Sequence, residues 1–146
     1  MRQTHISKVD VGRALSDAFR RWSKLIDHVL SEVGLTFAEF RVLKVLFETG
    51  PQLMVTLAME QSITPPGMTM VVDKLEEAGL VRRVRSDDDR RAINVAITGN
   101  GGARYKRALK LHDKFVERAT EGMSTAEIDS FITVLNRLLR AAQSTS

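Results

Sequence analysis

The side chains of this chain that are best suited to chemistry are arginines and aspartates clustered between residues 85 and 91. Arg90 and Arg91 follow a run of three aspartates that ends at Asp89, and Arg85 precedes that run. An arginine on a projecting loop can enter the minor groove of DNA, where negative potential is concentrated. A solvated charged loop is the simpler alternative, because charge runs are often no more than that. The secondary structure predicted on either side of this cluster decides between a loop that contacts DNA and a solvated loop.

Catalytic and metal-binding patterns are missing from the sequence. With no cysteine, the chain can form no disulfide and no thiolate metal site, and its three histidines are scattered. The aspartate run lacks the alternating spacing and terminal glutamate of a calcium loop. No nucleophile paired with a base and no phosphate-binding glycine loop occurs. We therefore predict that the chain is not an enzyme and uses no metal or cofactor.

Size and composition are those of an ordinary globular protein. The 146 residues are 43% hydrophobic and 27% charged, and we expect one domain over residues 1–146. The net charge of +4 permits a polyanionic partner without requiring one. No apolar run approaches the roughly 18–20 residues of a membrane helix, and the N-terminus lacks the apolar block of a secretory signal. We expect no membrane partner and a cytoplasmic protein, or a nuclear one if the host has a nucleus.

Two amphipathic helices are predicted first. Apolar residues at three- and four-residue steps predict one helix over about 10–33, and Gly34 ends it. Thr36 and Glu39 have the spacing of a capping box for a second helix, which ends at Gly50. Its expected buried face is Phe40, Leu43, Leu46 and Phe47.

A short helix over about 53–61 is followed, after a break, by a fourth helix with clearer boundaries. Thr64 suits the N-cap of the fourth helix, and proline suits its first turn, where a backbone donor would be unpaired anyway. The helix runs to about Ala78, and Gly79 supplies a left-handed stop. The residues expected on its inner face are Met68, Val71, Val72 and Leu75.

From residue 80 the apolar period changes to two. This predicts strands over 80–85 and 92–98, joined by the charged loop as a hairpin. Two helices are predicted to close the chain. Thr98 caps the first of them, and Ser124 with Glu127 forms a capping box for the second.

Two short helices, a tight turn and a charged hairpin together indicate a winged helix-turn-helix. The major groove of DNA admits an α-helix, and an adjacent hairpin reaches the minor groove. Contact with double-stranded DNA is therefore the favoured interpretation of the arginine cluster. Neighbours on a hairpin point to opposite faces, so only one of Arg90 and Arg91 is expected in the groove, and the sequence leaves open which. The weaker candidates are Arg82, Arg83 and Arg85, since some strand arginines must simply face solvent.

Four short motifs occur in order between residues 33 and 101. They are Leu57-Ala58, Val72-Asp73-Lys74-Leu75-Glu76-Glu77-Ala78-Gly79-Leu80-Val81, Asp89-Arg90-Arg91, and Ile97-Thr98 with Gly101. Together they resemble the multiple antibiotic resistance regulator (MarR) family. The most specific feature is the run ending in Gly79-Leu80-Val81 with Arg91 ten residues later.

The resemblance implies a fold class and an assembly. The class is mainly α with a small antiparallel β-hairpin: a winged helix-turn-helix lobe over 34–98, with dimerisation helices over 10–33 and 99–142. The resemblance further implies an obligate homodimer, a pseudo-palindromic DNA site, regulation of transcription, and often a small-molecule ligand near the dimer junction.

Two positions depart from the family pattern. Ser86 stands where an aspartate commonly opens the wing, and Met70 stands where the recognition helix often carries an arginine. At about 100° per residue, the outer face of that helix carries Pro66, Met70, Asp73, Lys74 and Glu77, with Thr69 at its flank. Few of these are strong donors, and two are acids that DNA phosphates repel.

We therefore predict that the fourth helix reads bases mainly by apolar contact. Pro66 and Met70 would touch thymine methyl groups, and Thr64 and Thr69 would form hydrogen bonds. The residues predicted to contact DNA are Thr64, Pro66, Gly67, Thr69, Met70, Lys74, Arg85, Arg90 and Arg91, and Asp89 is predicted to support the wing.

A ligand pocket is a further hypothesis. The resemblance favours Arg20 and Phe37 as pocket neighbours, with Trp22 among the aromatic side chains around them. An arginine beside aromatic rings suits an aromatic carboxylate, so the effector would be an amphipathic aromatic or phenolic compound. The simpler alternative is that these aromatic residues belong to the core.

Two other functions remain open from the sequence. One is an architectural protein that coats double-stranded DNA with little sequence preference, which the scarcity of donors on the fourth helix makes credible. The other is a protein-interaction module without duplex affinity. Salt-dependent competition separates the first from a regulator, since non-specific binding is almost entirely salt-dependent.

Overall fold

Helices and short strands make up most of the structure, a computed structural model that describes residues 6–89 and 91–146. The helices are α1 (Asp10–Leu30), α2 (Phe37–Thr49), α3 (Met54–Glu60), α4 (Pro65–Glu77), α5 (Gly99–Ala119) and α6 (Thr125–Gln143). The strands are β1 (Gln52–Leu53), β2 (Val81–Arg85) and β3 (Ile93–Ile97). The chain divides into two compact units, one ending at His112 and one from Asp113 to Ser146. The prediction of a mainly α fold with a small antiparallel sheet is confirmed.

The end of α1 differs slightly from the prediction. The α-helix stops at Leu30, and a turn of 3-10 helix (Ser31–Val33) continues the chain to Gly34. Gly34 adopts a φ of 70°, the left-handed conformation expected of a helix stop. Nη1 of Arg104 in α5 donates to the carbonyl oxygen of Val33 at 2.9 Å and so satisfies one of the carbonyl groups left free at this end.

Helix α2 begins with the predicted capping box. The hydroxyl of Thr36 accepts from the backbone N–H of Glu39, and the carboxylate of Glu39 accepts from the N–H of Thr36. The prediction that Phe47 is buried with Phe40, Leu43 and Leu46 is wrong, because 43% of Phe47 is exposed. Its ring packs against Tyr105, with the centroids 4.9 Å apart.

The core of the first unit lies where α2, α4 and the sheet meet. Its fully buried side chains include Leu30, Val42, Leu43, Leu46, Met68, Val72, Leu75, Leu80 and Val95. Burial of one such side chain contributes roughly 1.5–3 kcal/mol. Three of them, Met68, Val72 and Leu75, lie on α4 and confirm most of the predicted inner face. Helix α4 is therefore anchored along one side.

The predicted hairpin belongs to a three-stranded antiparallel sheet with the order β1-β3-β2. Strands β2 and β3 pair as predicted, with Val81 opposite Ile97 and Arg85 opposite Ile93. Strand β1, in which Gln52 pairs with Val95, was missed. Two residues are too few to show an alternating pattern, and the third helix, predicted from residue 53, begins only at Met54.

The second unit consists of the end of α5 and helix α6. Ser124 caps α6 by accepting from the backbone N–H of Glu127 at 3.1 Å. The predicted capping box is wrong in its other half: among the described hydrogen bonds, none runs from the N–H of Ser124 to the Glu127 carboxylate. No described residue of α6 is buried. Within the described chain, no helix combines the length and apolar character that crossing a membrane would require.

Candidate nucleic-acid interface

The N-terminus of α4 is built from a cap and two prolines. The hydroxyl of Thr64 accepts from the N–H of Gly67 at 3.2 Å, which confirms the predicted N-cap. Pro65 and Pro66 occupy the first two helical positions, where missing N–H groups leave no internal bond unmade. A Cβ on Gly67 would lie 3.0 Å from Ile63 and Thr64, so glycine lets the cap close tightly. The helix start is fixed by local chemistry.

The outer face of α4 is exposed where the helical projection placed it. The exposed positions are Pro66, Thr69, Met70, Asp73, Lys74 and Glu77. Met70 is 64% exposed, a large fraction for an apolar side chain, whereas Met68 two residues earlier is fully buried. The hydroxyl of Thr69 donates to the carbonyl oxygen of Pro65 at 3.1 Å, so its oxygen still has accepting capacity. These positions are accessible to a duplex, and their contacts with DNA remain a prediction.

The wing turn is held by backbone bonds and by one carboxylate. The N–H of Ser86 donates to the carbonyl oxygen of Ala92 at 3.0 Å, which extends the β2–β3 pairing by one residue. The carboxylate of Asp89 accepts from the backbone N–H of Arg91 at 2.9 Å. The side chains of Arg85 and Arg91 are exposed. Arg90, one of the two predicted groove residues, lies outside the described residues.

Arg83 has a role that the sequence analysis missed. Its Nη1 donates to Oε1 of Glu76 at 2.8 Å, and its Nη2 donates to Oδ1 of Asp73. Its backbone N–H also donates to Oε2 of Glu76 at 2.9 Å. The expectation that Asp73 simply repels DNA phosphates is therefore incomplete, because a cation lies against it. The sequence does contain a signal for this role. Asp73 and Glu76 lie three residues apart on α4, so both carboxylates lie on one face of the helix, where a cation on the following strand can bind them.

The charges of this cluster perturb one another. The pKa of Glu76 is lowered, first by the hydrogen bond from the Arg83 backbone and then by the bond from its side chain. Burial acts to lower the pKa of Arg83, but its hydrogen bonds to Asp73 and Glu76 outweigh burial and the pKa is raised. Glu76 and Arg83 are therefore held in their ionised forms.

We expect Glu76→Gln to destabilise the chain slightly at neutral pH, because the ion pair is exposed, and still less in acid. The pKa of Glu76 lies below its ordinary value of 4.5 in the folded chain, so its contribution is present above that value and is lost as the pH falls through the folded-state pKa. Urea unfolding at fixed protein concentration, at about pH 7 and about pH 3.5, checks this. The difference in free energy of unfolding between wild type and variant should narrow at the lower pH. An equal difference at both pH values, or the same narrowing in an Arg83→Met background, contradicts it.

The predicted ligand-pocket residues lie on α1 and at the start of α2. Arg20 pairs with Asp17 at 2.9 Å on the exposed surface of α1, Trp22 is half-buried, and the ring of Phe37 lies under the guanidinium of Arg41. Cavities of about 320 Å³, beside Lys74, and about 200 Å³, beside Arg91, are lined by other residues. Among residues 6–89 and 91–146, no three His, Asp or Glu side chains are grouped to hold a metal ion.

The geometry of α3, α4 and the β2–β3 wing defines a winged helix-turn-helix protein. Residues 35–93 match the model of the MarR family. The chain is 28% identical over 125 residues to YkoM, an uncharacterized HTH-type transcriptional regulator of Bacillus subtilis, with 86% of this chain and 81% of that protein covered. The matched segment contains helices α2 to α4 and strand β2.

Solved structures show the same fold. The transcriptional regulator BldR from Sulfolobus solfataricus has a TM-score of 0.82 and 28% identity, covering 93% of this chain and 99% of that one. A mutant MarR from E. coli complexed with operator DNA has a TM-score of 0.81 and 23% identity, covering 90% and 94%. The chain thus has the DNA-binding fold of MarR-type transcriptional regulators.

Proposed function

We propose that this protein is a sequence-specific regulator of transcription that binds a pseudo-palindromic site on double-stranded DNA as a homodimer. The observation that carries the proposal is helix α4, which is anchored on one side by Met68, Val72 and Leu75 and exposed on the other at Met70. The β2–β3 wing follows α4 in the chain, and Arg85 and Arg91 are exposed on it. An exposed helix for the major groove and a basic hairpin for the minor groove are the two parts that such binding needs.

Selection from a randomised duplex library tests sequence specificity. We expect an enriched site with two related halves about one helical turn apart, bound at least about 1,000-fold more tightly than a scrambled duplex. Competition at several salt concentrations separates the alternatives. Binding to all duplexes with a steep salt dependence indicates an architectural protein. Absence of duplex binding at moderate salt indicates a protein-interaction module.

Exposed apolar faces support the homodimer. On α1 the exposed apolar side chains include Val11, Leu15 and Phe19, and on α6 they include Phe131, Ile132, Val134, Leu138 and Leu139. Phe131 is 62% exposed and no residue of α6 is buried in the described chain. Soluble monomers rarely expose large contiguous apolar patches. A second copy of the chain covers these faces.

Charged substitutions on α6 are expected to split the dimer. We predict that Phe131→Glu combined with Leu138→Glu changes the solution mass from twice 16.3 kDa to a single chain of 16.3 kDa. Two carboxylates in an apolar interface lose solvation that no partner replaces. Analytical ultracentrifugation measures the mass. Asn136→Glu, at an exposed polar position of the same helix, is the control and should remain dimeric. A monomeric wild type contradicts the homodimer.

We also propose that an amphipathic aromatic or phenolic effector binds beside Phe37. The guanidinium of Arg41 lies 5.1 Å from the centre of the Phe37 ring, and its Nε is buried without a hydrogen-bond partner among the described residues. Burial lowers the pKa of Arg41, and a carboxylate or phenolate would supply the missing partner. To change DNA affinity, the effector must bind one spacing of the two lobes better than another.

Calorimetry with a panel of aromatic carboxylates and phenols tests the effector. We expect heat with the wild type and a loss of heat in Arg41→Met, whereas Arg20→Met retains it, because Arg20 already pairs with Asp17. Absence of heat and unchanged DNA binding across the panel count against an effector of this class.

A further inference from the structure

Arg83 joins the wing to the recognition helix. Its side chain is only 24% exposed, while the carboxylates that it binds, on Asp73 and Glu76, are 58% and 41% exposed. Glu76 accepts from both the guanidinium and the backbone N–H of Arg83, so the strand itself, as well as its side chain, is bound to the helix. One residue of β2 thus makes three hydrogen bonds to α4.

The connection that these bonds span is short and contains a glycine. Helix α4 ends at Glu77 and β2 begins at Val81. Between them, Gly79 adopts a φ of 74°, a conformation that other residues rarely take. Backbone rotation at such a turn changes the angle between helix and strand. The carboxylates on α4 and the guanidinium on β2 therefore restrain that angle from both sides of the turn.

Arg83 differs in this respect from the arginines near it. The side chains of Arg82 and Arg85 are exposed, and among the described residues neither forms an ion pair with a carboxylate. Adjacent strand residues point to opposite faces of the sheet, so Arg82 lies on the face opposite Arg83. The Arg83 guanidinium is therefore bound to α4, whereas the side chains of Arg82 and Arg85 are accessible to phosphate.

The energetics favour a role in orientation. Exposed ion pairs contribute little to stability, typically about 0–1 kcal/mol, so a cluster with both carboxylates exposed does little to keep the chain folded. Specific recognition instead needs contact groups held within about 0.5 Å by a supporting shell. A planar guanidinium that binds two carboxylates at once supplies that geometry, which a single ammonium group cannot.

We propose that Arg83 is a positioning residue for DNA recognition. Its guanidinium holds helix α4 and the wing as one unit and places a cation between two carboxylates of the recognition helix. The effect is on discrimination between sequences rather than on affinity for phosphate. This inference rests on the DNA binding proposed above.

A charge-matched variant tests the proposal. Arg83, Asp73 and Glu76 together carry +1 − 2 = −1, and Arg83→Met with Glu76→Gln leaves 0 − 1 = −1. The probes are a duplex selected by the wild type from a randomised library and a scrambled duplex of the same composition. Affinity for both is measured over a range of salt concentrations. Arg82→Met, on the opposite face, removes a cation that is accessible to phosphate, so it should weaken binding to both duplexes alike and leave their ratio unchanged.

We expect the double variant to lose about tenfold in the ratio of selected to scrambled affinity, comparable to the loss of one base contact. Its slope of log affinity against log salt should equal that of the wild type. A direct phosphate contact by Arg83 would instead lower that slope by about 0.9 and leave the ratio unchanged, which overturns the proposal. Arg83→Lys, which keeps the charge but lacks the fixed planar fork of the guanidinium, should lie between wild type and double variant.

Circular dichroism and the melting temperature distinguish a folding defect from a loss of discrimination between the two duplexes. A variant that melts earlier but discriminates as well as the wild type while folded shows a purely structural role, and it overturns the proposal. If the wild type itself selects no duplex, the proposed function fails and this inference fails with it. If the wild type discriminates and the double variant discriminates equally, the inference alone fails.

Discussion

Met70→Glu is expected to abolish binding to duplex DNA while leaving the fold intact. Met70 is 64% exposed on the outer face of α4, about one helical turn after Pro66. A carboxylate there replaces an apolar contact with a charge that the phosphates repel. We expect the affinity for a selected duplex to fall at least about 100-fold at moderate salt. Titration of fluorescent duplex measures this, and the melting temperature should change little because the position is exposed.

Met70→Ala separates base reading from charge repulsion. Truncation removes the contact with a thymine methyl group but adds no charge, so we expect weaker sequence preference with nearly unchanged binding to scrambled duplex. Met123→Glu introduces the same change outside the winged lobe, at a position that is 39% exposed, and should bind DNA like the wild type. Equal binding of both Met70 variants and wild type across a randomised site library would remove the idea that Met70 reads bases.

Local chemistry made α4 predictable from sequence. Its start follows from a threonine hydroxyl and two prolines, and its stop follows from Gly79, none of which depends on distant residues. The helical period then separates Met68 from Met70, one buried and one exposed. The outer face of α4 therefore follows from the sequence alone.

Tertiary pairing explains what the sequence did not reveal. Strand β1 exists because Gln52 and Leu53 pair with β3, and two residues carry no period of their own. The role of Arg83 depends on the path of the chain through Gly79, which brings a strand back beside acids seven and ten residues earlier. Phe47 followed the apolar spacing of α2 yet lies at the surface against Tyr105. Such features require the relative positions of elements.

Gly101→Ala is expected to destabilise the chain strongly, although alanine is the better helix former. A Cβ at residue 101 would lie 2.0 Å from the carbonyl oxygen of Leu80 and 2.8 Å from Cγ1 of Ile97. The Leu80 carbonyl cannot easily withdraw, because it accepts from the N–H of Thr98 at 3.0 Å. The hydroxyl of Thr98 in turn donates to the carbonyl oxygen of Gly79 and accepts from the N–H of Gly101. The start of α5 is thus packed directly on the turn between α4 and β2.

We expect Gly101→Ala to lower the free energy of unfolding by about 3 kcal/mol or more, at the upper end of overpacking effects, because the clash is with backbone. Gly102→Ala is the matched control, one residue along the same helix. Its Cβ would meet the Phe47 ring at 3.7 Å, an ordinary contact, so it should gain a few tenths to about 1 kcal/mol from helix propensity. Urea unfolding at one protein concentration should show that the two variants change the free energy of unfolding in opposite directions. Since Leu80 leads into the wing strand, a Gly101→Ala chain as stable as Gly102→Ala would show that α5 does not pack on that turn.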